Sequence, residues 1–260
     1  MTKLQAHRGV SSEYPENTMV AYQAAIEQGY AIIELDPKYT ADGKIVMLHD
    51  KSIKRTARDK NGESHDIQIS ELTLEQAREY EYGSWKGQEF KGEQIPTLSD
   101  VLDFSEKNPS VPLKLDNVWT KFPDDVRASL LKEIADRGNS VNVGMTCGSI
   151  ESVKEAVEAL PNACIHYDGI DLSDETLTKI AELSKGRLVI WVCYDLPRLS
   201  WFKGERASAE LCERVRKYGK LGIWILSTRE ELENAAVNFK ADYVETNGRI
   251  KPEWLKDIEQ

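Results

Sequence analysis

Short apolar runs rich in β-branched residues alternate along the chain with stretches whose apolar positions recur at helical spacing. Leu4–Ala6 reads as a first short strand. Met19, Ala21, Tyr22, Ala25 and Ile26 predict a helix over residues 17–28, with Gly29 as its stop. Ala31–Asp36 predicts a buried strand, and Lys44–His49 another short one after the Asp42-Gly43 turn. Residues 51–96 break this rhythm: they are polar, glycine-rich and weakly periodic, with Trp85 and Phe90 among charges. They read as an excursion from the main fold, not as a separate domain. From Leu98 the alternation is regular. Helices are expected over 98–107, 124–137, 150–160, 173–184, 209–218 and 229–239, and strands over 111–116, 140–145, 163–167, 187–193, 222–226 and 243–246. A second polar excursion covers 195–207, and a short helix starts at Pro252.

Strands alternating with helices predict a parallel sheet. With Lys44–His49 assigned to the first excursion, eight strands remain, and eight βα units in about 250 residues is the size of a (β/α)₈ barrel. The expected architecture is therefore an α/β TIM barrel, one domain over 1–260 with an inserted polar region at about 51–96. An open doubly wound sheet is the alternative. No G-x-G-x-x-G follows the first strand, which weighs against a dinucleotide-binding form of it.

Composition narrows the function classes. The formal net charge of −10 argues against a nucleic-acid surface, which needs a concentrated basic footprint. No apolar run approaches the roughly 20 residues needed to span a bilayer, so no stable membrane insertion is expected. The first residues carry no apolar signal core, which points to the cytoplasm. Cys147, Cys164, Cys193 and Cys212 are far apart, without zinc or redox spacing, and read as ordinary reduced thiols.

In a barrel of this kind, chemistry lies at the C-terminal ends of the strands. There the chain places His7-Arg8, Glu34 with Asp36, His49-Asp50, and Lys114 with Asp116. Residues two apart on a strand share a face, so each acid-bearing pair points the same way. Carboxylates crowded on one face are costly unless a cation neutralises them, and hard oxygen ligands favour Ca²⁺ or Mg²⁺ over zinc. An acidic pair can also serve only to guard a strand edge, but Glu34 and Asp36 end the apolar run Ala31-Ile32-Ile33, which reads as buried. His65 and His166 read as core or exposed residues without a chemical role. The residues alone leave a phosphoryl or acyl hydrolytic site and a purely structural role for these groups equally open.

His7-Arg8-Gly9, Pro15-Glu16-Asn17-Thr18, Glu34-Leu35-Asp36, Thr40-Ala41-Asp42-Gly43 and Leu48-His49-Asp50 occur in that order within the first fifty residues. The series resembles the glycerophosphodiester phosphodiesterase family. Arg55-Thr56, Gly83-Ser84-Trp85, Ile95-Pro96-Thr97-Leu98, Gly222–Leu226 and the stretches Ala241-Asp242-Tyr243 and Glu245-Thr246-Asn247-Gly248 extend the likeness over nearly the whole chain. It implies a TIM barrel with an insertion after the second strand. The activity it implies is cleavage of small glycerophosphodiesters to sn-glycerol 3-phosphate and an alcohol with a divalent cation, Ca²⁺ or Mg²⁺. Matched motif by motif, it makes His7 and His49 the acid–base pair, Arg8 a phosphate contact, Glu34 and Asp36 metal ligands, and Glu16 and Asn17 braces of the site.

Strand three departs from the resemblance. The family pattern there is Glu-x-Lys, whereas this chain has Lys114-Leu115-Asp116. Either Asp116 takes the metal and Lys114 the phosphate, or the Lys114 ammonium weakens or replaces the cation; the preserved charge inventory favours the first. Trp224 is expected either against the substrate or in the core, and Trp119 is a second candidate wall. Tyr14, Tyr39, Trp85 and Phe90 are candidates for a lid. Two other functions remain open: a non-catalytic phosphate-binding barrel, and a phospholipase D acting on lysophospholipids or sphingomyelin-like lipids.

Overall fold

A computed structural model describes residues 1–258, and in it eight parallel strands close into a barrel. In chain order these are β1 (Lys3–Ala6), β2 (Ile32–Leu35), β5 (Leu113–Leu115), β6 (Val143–Cys147), β7 (Ile165–Tyr167), β8 (Leu188–Cys193), β9 (Lys220–Leu226) and β10 (Tyr243–Thr246), with β10 returning to β1. The two remaining strands, β3 (Pro37–Tyr39) and β4 (Ile45–Met47), form an antiparallel pair beside the mouth. The expected barrel is thus the observed one. Its strands read as continuous apolar runs because both faces are covered; all six residues of β8 are buried.

The helices are α1 (Met19–Glu27), α2 (Leu74–Ala77), α3 (Leu98–Lys107), α4 (Asp124–Arg137), α5 (Ile150–Ala159), α6 (Asp174–Ser184), α7 (Ala209–Val215), α8 (Arg229–Glu233) and α9 (Trp254–Ile258). Hydroxyl residues start most of them. Thr97, Ser149, Ser173, Ser208 and Thr228 each accept a backbone N–H from the first turn, which fixes where each of these helices begins.

Several boundaries moved for local reasons. The first helix begins at Met19 rather than residue 17, because Asn17 adopts φ +56° and sends its side chain into the barrel mouth. A helical turn over Gly138–Ser140 delays β6 to Val143. The expected 229–239 helix is α-helical only to Glu233 and continues as a π turn over Asn234–Asn238. Pro37–Tyr39 was not foreseen as a strand. Beyond β2 the backbone N–H of Asp36 bonds Asn17 Oδ1, and the chain then pairs with β4.

The excursion after β4 carries its own small apolar cluster, including Ile53, Ala57, Ile69, Ala77, Tyr82 and Ile95. Lys86 Nζ anchors it to the Ser11 carbonyl at 2.7 Å. No helix among the described residues is long and apolar enough to cross a membrane.

Two glycines let large side chains fill the barrel interior. A Cβ at Gly222 would lie 2.4 Å from the Trp191 ring, and one at Gly144 would lie 2.6 Å from His166 Nε2. His166 is 1% exposed and accepts the Trp191 indole N–H at Nδ1 over 3.0 Å. Burial, then the nearby Lys114 charge, hold this imidazole well below its usual pKa, so it is a neutral core residue as expected. Gly144→Ala is therefore expected to destabilise the fold by about 1–3 kcal/mol through overpacking, measured by denaturant unfolding. An unchanged midpoint would mean that His166 has room to move.

Candidate active site

The C-terminal ends of the barrel strands enclose a cavity of about 400 Å³. Eight of the residues singled out from sequence line it: His7, Arg8, Glu34, Asp36, His49, Lys114, Asp116 and Trp224. Glu16 and Asn17 stand behind them. Asn17 Nδ2 donates to Asp36 Oδ2 at 2.7 Å, and its Oδ1 accepts from the Tyr22 hydroxyl at 3.0 Å. Glu16 joins two arginines, accepting from Arg8 Nη1 at 3.0 Å and from both terminal nitrogens of Arg55 at 2.7 Å.

The two histidines reach the mouth from different elements and are oriented alike. His7 Nδ1 lies 2.6 Å from Asn247 Oδ1, and His49 Nδ1 lies 2.7 Å from Asp50 Oδ1. Both partners are acceptors, so each Nδ1 is the N–H donor and each Nε2 is left for chemistry. Arg55 grips the other Asp50 oxygen at 2.7 Å. That hydrogen bond outweighs the cost of burial and, with help from His49, pulls the Asp50 carboxyl down to about 2. A hydrogen bond from His49 to Asp50 thus opens a continuous chain of ion pairs that runs from Asp50 through Arg55, Glu16 and Arg8 to Asp36, where Arg8 Nε lies 3.1 Å from Oδ2.

Glu34, Asp36 and Asp116 each offer an oxygen, and these oxygens lie within 4.8 Å of one another. Burial, and then mutual repulsion, push the Glu34 and Asp116 carboxyls up; Asp36 is held low against its burial by Arg8, His49 and His7. Three carboxylates converging with hard oxygens fit a divalent cation.

Lys114 lies one residue pair deeper than Asp116. Its Nζ is 3.3 Å from Glu245 Oε2 and 4.2 Å from the centre of the Trp191 ring, and its side chain is 6% exposed. Gln5 Nε2 donates to the same Glu245 oxygen. Glu245, Lys38, Trp191 and Asp168 also line the cavity, and sequence reasoning assigned none of them to it. Asp168 accepts both Asn117 amide contacts, at 2.9 and 2.8 Å, while burial and then Asp116 push its carboxyl up to about 7. The strand-end rule that found Glu34 and Asp36 points equally to Asp168, directly after β7.

The aromatic side of the cavity corrects the expected wall and lid. Trp119 is fully buried, donating to the Thr146 carbonyl at 2.8 Å, and is a core residue. Tyr39 packs edge-on against Phe122, and Tyr14 packs tilted against Phe90; neither tyrosine is among the cavity-lining residues, nor are Trp85 and Phe90. The second excursion supplies the wall instead. Trp201 packs tilted and Phe202 edge-on against Trp224, with ring centres 5.9 and 5.2 Å away, and Leu199 also lines the cavity.

Residues 7–180 match the sequence profile of the Glycerophosphoryl diester phosphodiesterase family. The glycerophosphodiester phosphodiesterase of Caldanaerobacter subterraneus is 32% identical over 162 residues, which is 62% of this chain and 64% of that one. The chain thus spans just under two thirds of that relative's length. "Probable glycerophosphodiester phosphodiesterase 1" of Mycobacterium tuberculosis (strain H37Rv) is 40% identical over 199 residues, 70% of each chain. Among solved structures, a phosphodiesterase of Oleispira antarctica in complex with the product sn-glycerol-3-phosphate superposes with a TM-score of 0.75 at 20% identity, covering 100% of this chain and 98% of that one. The glycerophosphodiester phosphodiesterase of Thermotoga maritima gives 0.64 at 22% identity, covering 96% of each. At these identities the structural likeness concerns the fold.

Proposed function

Because the chain belongs to the glycerophosphoryl diester phosphodiesterase family, we propose that it hydrolyses small glycerophosphodiesters to sn-glycerol 3-phosphate and an alcohol. The observation that carries this reading is the convergence, in one cavity, of two histidines anchored through Nδ1, an arginine and three carboxylates, with His7 Nε2 4.0 Å from Glu34 Oε2. A barrel that only bound phosphate would not need the paired imidazoles.

Glu34, Asp36 and Asp116 would hold the cation, Ca²⁺ or Mg²⁺, which when bound supplies positive charge to the phosphoryl oxygens. Arg8, pinned by Asp36 and Glu16, turns its remaining N–H groups to the phosphate. One imidazole Nε2 takes the proton of a glycerol hydroxyl as that oxygen bonds to phosphorus. The other gives its proton to the departing alkoxide as the phosphorus–oxygen bond breaks. Water then opens the cyclic phosphate with the two roles reversed. The departing alcohol would leave along Trp201, Phe202 and Trp224. Four unpaired cysteines suit a reducing compartment such as the cytoplasm.

The test is metal dependence of turnover. Release of glycerol phosphate from glycerophosphocholine is expected to stop under chelation and return with added Ca²⁺ or Mg²⁺. Glu34→Gln should weaken Ca²⁺ binding by roughly tenfold or more in calorimetry and lower turnover with it. Activity that survives exhaustive chelation would overturn the metal assignment.

A further inference from the structure

Three basic side chains other than histidine line the cavity among the described residues: Arg8, Lys38 and Lys114. Two of them are committed. Arg8 lies 3.1 Å from Asp36 and 3.0 Å from Glu16, and Lys114 lies 3.3 Å from Glu245 with Trp191 over its ammonium. Lys38 has no carboxylate within 4.0 Å among the described residues. Its Nζ makes only a long contact, 3.4 Å, with the carbonyl of its own neighbour Pro37.

The fold holds Lys38 in that position. Lys38 is the central residue of β3 and pairs in register with Val46 of β4. Alternation along the strand turns Tyr39 away, onto Phe122, and leaves Lys38 on the cavity side. Its stem is half-buried, so the ammonium is presented on a restrained arm. Burial pulls the Lys38 ammonium below its usual pKa, and the charges of Asp36, Asp116 and Glu34 only partly offset this, acting without a bond to it. It therefore stands beside the carboxylates that would hold the cation, as a separate positive charge.

We infer that Lys38 is a substrate-binding residue whose ammonium contacts the phosphoryl oxygens at the mouth, the part that Lys114 cannot play while it neutralises Glu245. The inference rests on the phosphodiesterase reading for what the anion is. A phosphomonoester product carries more negative charge than the diester, so Lys38 should matter more for sn-glycerol 3-phosphate than for the substrate.

The experiment titrates sn-glycerol 3-phosphate, and separately Ca²⁺, into wild type, Lys38→Met and Lys38→Arg by calorimetry, with KM and kcat for glycerophosphocholine measured on the same proteins. Methionine keeps the apolar stem, and equal thermal midpoints will establish equal folding. Lys38→Met should bind the product roughly ten- to a hundredfold more weakly, the size of a lost charge-assisted hydrogen bond. KM should rise more than kcat falls, Lys38→Arg should restore most of the affinity, and Ca²⁺ affinity should be unchanged or tighter. Unchanged product affinity in Lys38→Met overturns the inference and leaves the hydrolase reading intact. So does a loss of product affinity matched by a loss of Ca²⁺ affinity, since Lys38 would then act only through the carboxylates. A wild type that binds the product through Lys38 but turns over no diester would instead sink the hydrolase reading alone.

Discussion

His49→Ala and His7→Ala are each expected to lower turnover of glycerophosphocholine by roughly 10²–10⁴-fold, the usual contribution of a general acid or base. Neither change should unfold the protein. The His49 side chain is 42% exposed and bonds its neighbour Asp50, while His7 is partly buried and anchored by Asn247. The structure adds a graded version of the test. Arg55→Ala removes no atom from the cavity lining but frees Asp50 and Glu16 together. It should reduce kcat less than His49→Ala does. Near-wild-type turnover in either histidine variant, measured at saturating substrate and cation, would remove that residue from the acid–base pair.

The second large effect falls on stability. Lys114→Met should destabilise the fold by about 3–5 kcal/mol, because it leaves the buried Glu245 carboxylate without its cation. Lys114→Met with Glu245→Gln should recover most of that loss, since the charge is then gone from both sides and Gln5 can still bond the amide. Restoring the familial order with Lys114→Glu and Asp116→Lys should be worse than either single change. It would set a glutamate against Glu245 and Glu34 and place a lysine among the expected metal ligands. Denaturant unfolding of these variants, with the single changes Lys114→Glu and Asp116→Lys, beside the wild type checks the prediction. A cost below about 1 kcal/mol for Lys114→Met would mean that the pair behaves like a solvated surface bridge. The exchange on β5 would then be merely tolerated.

The expected departure at strand three reads differently once the barrel is closed. In sequence, Lys114 and Asp116 looked like the familial acid and base with their places traded. In space they sit at two depths. Asp116 joins Glu34 and Asp36 at the mouth, whereas Lys114 lies below with Glu245, Gln5 and Trp191. The trade is matched by partners on β8 and β10, and Lys38 has no carboxylate partner among the described residues.

Local chemistry made much of this legible from the chain alone. Alternating apolar runs and amphipathic stretches specify strands and helices, because each must bury one face, and eight such units admit few closures. The residues at the ends of β1 and β2, and His49 after β4, could be picked out because strand alternation fixes which neighbours share a face. Asn17 was legible as a brace but not as a break in the first helix, since its positive φ answers to Asp36, nineteen residues on. Glu245, Trp191, Lys38 and the Trp201–Phe202 wall carried no local signal of their roles. Their partners are far away in sequence: Gln5 meets Glu245 across 240 positions, and Lys114 meets it across 131. No periodicity encodes such a meeting. It follows only from β10 closing against β1, and from Gly144 and Gly222 leaving the space into which His166 and Trp191 pack. The chain's own pattern thus determined the barrel and the candidate acids, bases and arginine at its mouth, and closure of the barrel decided that Lys114 is neutralised by Glu245.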